Sequence, residues 1–217
     1  MGFQPIVSGS NPLDRTLNLE SIKTKTQRFQ FNQIVKKYHS YKQSTNCVGR
    51  RIDWFIKLGN RTIGTIGIGS GTIPEPKALT DFIGWDKKQR IENFNKIANN
   101  WRFTLIPNSP KNLASRTLSL LCRIAPKFWK EKYGDKLVLL FSFVREDYSG
   151  NIYKASGWEE IGFTTGIKYL NGYTIQKKWK CGLKYSGSGI ETRKKLRKRI
   201  FVKPLHRYWR RELLRVD

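Results

Sequence analysis

Apolar and polar positions follow two rhythms along this chain. Residues 28–38, RFQFNQIVKKY, put Phe31, Ile34, Val35 and Tyr38 on one helical face. They predict a helix ending near His39. Two strand-like runs follow, Arg51–Leu58 and Arg61–Ile68, and Gly59-Asn60 between them suits a tight hairpin turn. A loop with Pro74 and Pro76 comes next. Residues 86–99 read as helical, with Asp86 as N-cap.

The centre of the chain alternates. Trp101–Ile106 (WRFTLI) predicts a strand, Pro107–Lys111 a turn, and Asn112–Ala125 a helix with Leu113, Leu118, Leu121 and Ile124 on its apolar face. Lys136–Val144 holds the run LVLLFSFV and predicts a buried strand. Tyr153–Ser156 suggests a short helix, and Trp158–Phe163 leads into another strand. Gly166–Lys180 predicts a hairpin around Asn171-Gly172. Near the end, IFVKPL reads as a short strand stopped by Pro204, and HRYWRRELL as a short helix. Strand alternating with helix gives the class α/β, or α+β, with a mixed sheet flanked by helices. There is no internal repeat. The chain divides into a loose N-terminal arm (1–27), a domain (28–184) and a basic C-terminal extension (185–217).

Charge changes the picture most. The 217 residues hold 42 Lys+Arg against 16 Asp+Glu, a formal net charge of +26. Such an excess repels itself in a compact state unless a polyanion screens it, and DNA is the usual one. RNA fits the same charge. Residues 185–217 carry eleven Lys/Arg and three Asp/Glu, so most of the excess belongs to the body. The run Arg193, Lys194, Lys195, Arg197, Lys198 and Arg199 reads as a nucleic-acid arm or a solvated linker, with the arm favoured. Arg207, Arg210 and Arg211 beside Trp209 suit phosphate contacts, which position without specifying sequence. No stretch is apolar and long enough to span a bilayer. The N-terminus lacks the apolar core of a secretion signal. Cys47, Cys122 and Cys181 are far apart and lack metal-ligand spacing, which points to a reducing, intracellular compartment.

Several residues could carry chemistry. His39 is one of two histidines and ends the first helix; it is a general base, a metal ligand, or a capping histidine. Arg102 could fork onto a phosphate or carboxylate, or form a structural ion pair. Asn112 and Ser115, in the first turn of the central helix, could bind a cofactor with Lys111 or simply cap the helix. Ser142 points to a site or fills the core, with core the first choice. Trp85, Trp101, Tyr153 and Trp158 could wall a pocket for a flipped base, with Tyr153 and Trp158 nearest the cleft, or pack in the core.

The motifs Tyr38-His39-Ser40-Tyr41, Ile83-Gly84-Trp85, Asn100-Trp101-Arg102-Phe103 with Pro107, Asn112-Leu113-Ala114-Ser115, Tyr153-Lys154-Ala155-Ser156-Gly157-Trp158 with Gly162, and Phe201-Val202-Lys203-Pro204-Leu205 occur in that order. Together they resemble the DruA family of Druantia anti-phage systems, and the related Mom-type DNA-modification proteins of phages. The resemblance implies a fold similar to the Gcn5-related N-acetyltransferases and acyl or acetamide-type transfer to a DNA base, adenine first. It implies acyl-CoA as a cofactor, held at the start of the central helix, with iron at His39 as a further expectation. It also implies that Tyr153 sits near the leaving thiol. NSPKNLAS stands where the fold usually has a Gly-rich turn. Where relatives carry FVD, this chain has Phe143-Val144-Arg145 followed by Glu146 and Asp147. Either Asp147 takes that acid's place, or the chain is a non-catalytic DNA-binding module on the same fold, serving defence or a mobile element. An acyltransferase directed at RNA or protein is a third reading.

Overall fold

The computed structural model describes residues 16–39, 49–71, 75–165, 167–170, 173–175 and 194–216. Its centre is a seven-stranded sheet in the order β1-β2-β3-β4-β5-β10-β6. These strands are β1 (Leu17–Ser21), β2 (Arg51–Leu58), β3 (Arg61–Gly69), β4 (Ile97–Leu105), β5 (Leu139–Arg145), β6 (Glu159–Phe163) and β10 (Lys198–Pro204). A smaller sheet pairs β7 (Ile167–Leu170) with β8 (Tyr173–Ile175) on one side and β9 (Lys194–Leu196) on the other. β7 and β8 pair antiparallel within the stretch predicted as a hairpin over 166–180, whose turn at Asn171-Gly172 and residues 176–180 lie outside the described residues.

All neighbours in the large sheet are antiparallel except β4 and β5, which run parallel. A parallel pair needs a crossover helix, and α4 (Leu113–Tyr133) supplies it. Its buried positions, Leu113, Thr117, Leu118, Leu121, Ala125 and Trp129, recur on one face. The helix runs through Pro126, where the sequence reading stopped it. The apolar stripe continues to Trp129, which is fully buried, and this packing outweighs the lost backbone donor. With α5 (Asn151–Lys154), α4 covers one face of the sheet, over Trp54, Ile56, Ile66, Leu140 and Phe201.

The other face has two covers. Helix α1 (Lys25–Tyr38) packs Phe31, Ile34 and Val35 against Phe55 and Trp101. It starts at a capping box, in which Thr24 Oγ accepts from Gln27 N at 3.1 Å and Gln27 Oε1 accepts from Thr24 N at 3.0 Å. Beside it, α2 (Lys77–Ile83), α3 (Lys87–Asn93) and α6 (Trp209–Leu214) cover Ile97, Leu139, Phe141, Ile200 and Val202.

Four readings change. Residues 1–27, taken as a loose arm, contain β1, an edge strand on β2, and the start of α1. The prolines masked α2, whose N-cap is Pro76 and whose C-cap is Gly84 in a left-handed conformation. The helix expected over 86–99 ends at Asn93, and after one 3-10 turn Ile97 already lies in β4. Within the stretch read as a basic extension, residues 198–214 belong to the domain: β10 lies between β5 and β6, and α6 packs on α2 and α3; residues 185–193 lie outside the described residues. There the Asn93 side-chain amide donates to Leu213 O and Arg215 O, both at 2.9 Å.

The Cys122 thiol on α4 is pushed up to about 11, chiefly by burial, while the Lys203 charge pulls the other way. Thiol alkylation needs the thiolate. Native Cys122 should therefore resist iodoacetamide near about pH 7.5 and react only in urea, as read by site-resolved mass spectrometry. Equal native and unfolded rates would contradict this burial.

Candidate active site

The site follows from one break in the sheet. Pairing of β4 with β5 covers Ile97–Leu139, Ala98–Leu140 and Asn99–Phe141, and stops there. β4 runs on to Leu105 along β3, and β5 runs on to Arg145 along β10. The two strands part, and a cleft of about 270 Å³ opens between residues 100–103 and 142–145. A β-bulge marks the same place: Gly67 opposes Arg102 and Gly69 opposes Asn99, so β4 carries an extra residue. The Asn100 side-chain amide stitches the bulge, donating to Gly67 O at 2.9 Å and Arg102 O at 3.2 Å.

The floor is a closed polar set. Tyr153 OH donates to Asn100 Oδ1 at 3.0 Å. Ser142 Oγ lies 2.9 Å from Tyr153 OH and 3.2 Å from Asn100 O. All three residues are buried. Aromatic packing fixes the Tyr153 ring, which stacks on Phe201 at 5.2 Å and meets Trp158 edge-on at 5.1 Å. Gly150, with φ at 69°, opens α5 directly against the Phe201 ring, and a side chain there would run into it. His39, at the C-cap of α1, lines the cleft with Trp101, Arg102, Phe143 and Tyr148.

The second wall rests on Asp53, a buried carboxylate set between Ile52 and Trp54 on β2. It accepts from Trp101 Nε1 at 3.0 Å and forms ion pairs with Arg28 and Arg51. The Trp101 ring carries the Arg51 and Arg102 guanidinium groups, at 4.2 and 4.6 Å. Trp101 is therefore a braced wall. Trp158 supports Tyr153 from behind and does not line the cleft, and Trp85 is buried on the opposite face, donating to Leu213 O at 2.8 Å. Of the four expected aromatics, Trp101 and Tyr153 line the cleft, joined there by Phe103, Phe143 and the more exposed Tyr148.

Other expected residues stand elsewhere. Asp147 is exposed, is held by both arms of the Arg145 guanidinium, and does not line the cleft. Glu146 is paired with Arg197. Asn112 is a left-handed residue with φ at 60° whose side chain caps nothing. Asn tolerates that backbone, which is how the turn manages without glycine. Ser115 Oγ donates to Asn112 O at 3.1 Å, and Lys111 is exposed beside it. Among the basic residues, Arg197 and Arg199 pair with Glu146 and Glu160 and flank Phe163. Lys198 and Arg199 lie within β10, not on an arm. Lys194 and Lys195 contribute backbone to β9, and Arg193 lies outside the described residues. Arg210 lies on Trp209 and Phe82 and donates to Phe82 O at 3.1 Å; Arg207 and Arg211 are exposed.

Two cofactor expectations part company here. Among the described residues no group of three metal-ligating side chains exists, so iron at His39 finds no support. The elements an acyl-CoA would need are present: the parted strands, and the first turn of α4, which has no acidic residue and no side-chain cap on its N–H groups. Free N–H groups at such a terminus suit a pyrophosphate. Among the described residues no helix is long and apolar enough to cross a membrane.

The family model described as Druantia protein DruA matches residues 3–214. No curated protein matches the chain. The fold is similar to that of Arabidopsis thaliana NAA60, solved with a bisubstrate analogue, at 11% identity and a TM-score of 0.52, over 87% of this chain and 98% of that one. It is also similar to RimL, a ribosomal alpha-N-protein acetyltransferase solved with coenzyme A, at 12% identity and a TM-score of 0.51, over 87% of this chain and 94% of that one. The fold is thus that of the Gcn5-related N-acetyltransferases, a mixed sheet parted at its centre.

Proposed function

The chain belongs to the family of the Druantia protein DruA, and from that premise we propose that it transfers an acyl or acetamide-type group to a base of DNA, adenine first. The observation that carries this reading is the closed Asn100–Ser142–Tyr153 set at the floor of the parted strands, with His39 at the rim. The acetyltransferase neighbours, one solved with coenzyme A, support an acyl-CoA donor. The net charge of +26 supports a polyanionic acceptor.

An acyl-CoA bound here would supply an activated acyl group and a thiol as leaving group. The N–H groups of the first turn of α4, with Lys111, would hold its phosphates. Tyr153 holds its proton at Oη on Asn100 Oδ1, and it would have to release it from there to protonate a leaving thiolate. His39 can accept the proton released by the acceptor amine, because imidazole titrates near neutrality. A base in duplex DNA reaches such a cleft only by leaving the stack.

The test is mass spectrometry of nucleosides from cells expressing the protein, its His39→Ala variant or its Tyr153→Phe variant. A new nucleoside is expected with the wild type and its loss with both variants. An unchanged profile at high wild-type expression would defeat the reading. A second reading, a non-catalytic DNA-binding module, is favoured by one observation: the acid expected after β5 is engaged by Arg145 outside the cleft. It calls for DNA binding without any new nucleoside.

A further inference from the structure

Three cations meet on one face of the sheet where the cleft opens. Arg102 stands on β4 and Arg145 on β5, and both line the cleft. Lys198 stands on β10. The β5–β10 register sets Lys198 directly opposite Arg145, so the two side chains rise from the same face. From the other side the Arg102 charge bears on Lys198. Arg145 is forked onto Asp147. Lys198 is half-buried, and among the described residues no carboxylate pairs with it.

This arrangement opposes folding. Like charges facing each other across a strand pair destabilise the sheet, and a partly desolvated ammonium without a counter-ion is costly. Burial first, then Arg102, hold the Lys198 ammonium below its ordinary range. Arg145 is offset by Asp147; at Lys198 the local rule is broken with no carboxylate among the described residues to offset it, and such breaks concentrate at functional positions. An anion from solvent would supply the missing counter-charge. A planar guanidinium beside an ammonium matches the oxygens of a phosphate. Tyr148, whose ring is among the more exposed in the molecule, lines the same cleft and offers a nucleotide a stacking surface.

We propose that Lys198, opposite the cleft-lining Arg145 and with the Arg102 charge bearing on it, forms a phosphate-binding subsite beside the cleft, and that it takes a backbone phosphate of the nucleic-acid acceptor. The choice of that source rests on the acceptor proposed above; a phosphate of a coenzyme A-type molecule is the other source of the same chemistry.

The experiment compares the full chain with Lys198→Met and, as a control, Lys130→Met on the exposed end of α4. The probes are a single-stranded oligodeoxynucleotide, coenzyme A and inorganic phosphate. Lys198→Met is expected to weaken oligonucleotide binding about tenfold and to lower the salt slope by about one. Lys130→Met should do neither, and coenzyme A binding should be unchanged. Lys198→Met should also raise the unfolding temperature. A lysine whose folded pKa lies below its ordinary 10.5 binds its proton less tightly when folded, so wild-type stability rises with pH just below 10.5. The variant should lack that rise.

Equal oligonucleotide affinity in Lys198→Met and wild type overturns the proposal. Loss of coenzyme A binding alone overturns the nucleic-acid source. Should the wild type bind no oligonucleotide, that source also falls, and inorganic phosphate decides the subsite: it stands only if phosphate stabilises the wild type and not Lys198→Met. Binding that depends on Lys198 without any new nucleoside defeats the proposed chemistry and leaves this subsite standing.

Discussion

Replacing Asp53 with alanine is expected to cost the fold about 3–5 kcal/mol, a large share of the roughly 5–15 kcal/mol typical of a domain. The carboxylate is fully buried and holds Arg28, Arg51 and the Trp101 indole together. Its removal takes from the indole N–H its Asp53 acceptor and from Arg28 and Arg51 the buried Asp53 charge. The site cannot collapse to compensate. Gly67 already lies so close that a side chain on it would land on Asp53 Oδ1 and Trp101 Nε1. Gly67→Ala should therefore be destabilising too, and Asp53→Asn should fall between Asp53→Ala and wild type because it keeps an acceptor for the indole. Urea unfolding followed by circular dichroism measures all three. A loss below about 1 kcal/mol for Asp53→Ala would class the cluster with ordinary surface pairs and sink this account. The effect reaches the cleft as well, since Trp101 is its wall.

How much of this the sequence disclosed depends on how local the signal was. The β2–β3 hairpin was legible because Gly59, at the turn with φ at 57°, stands between two apolar runs. The apolar face of α4 and the place of Tyr153 were legible from spacing and motif. The inner position of β10 was not. Its alternation of Lys198, Ile200 and Val202 on one face with Arg199, Phe201 and Lys203 on the other hides inside a basic run, and only pairing with β5 and β6 over long range separates the faces. The role of Asp147 could not be read either, because its pairing with Arg145 is a matter of side-chain direction. Asp53 did leave a trace, a lone carboxylate inside RIDWFIKL. Nothing local said that Arg28, 25 residues away, would reach it.

Removing one oxygen from the floor of the cleft should have the largest effect on activity. In Tyr153→Phe the ring keeps its stacking on Phe201 and its edge contact with Trp158, so the fold survives. The cost is a buried hydrogen-bond set left incomplete, about 1–3 kcal/mol. Asn100 Oδ1 loses its donor, whereas Ser142 Oγ keeps Asn100 O at 3.2 Å. The proton held at Tyr153 Oη is gone, and a positioned proton donor contributes about 10²- to 10⁴-fold. The new nucleoside should fall by at least about 10²-fold, in kcat and not in oligonucleotide affinity, because Tyr153 is buried at the cleft floor. Ser142→Ala leaves the tyrosine proton in place and should cost far less. A Tyr153→Phe protein as active as wild type would strip Tyr153 of its role and leave His39 as the candidate for proton transfer among the described residues of the cleft. A drop confined to affinity would make Tyr153 part of the binding surface, and Asn100 and Ser142 would then serve to hold that surface rigid, with no share in proton transfer.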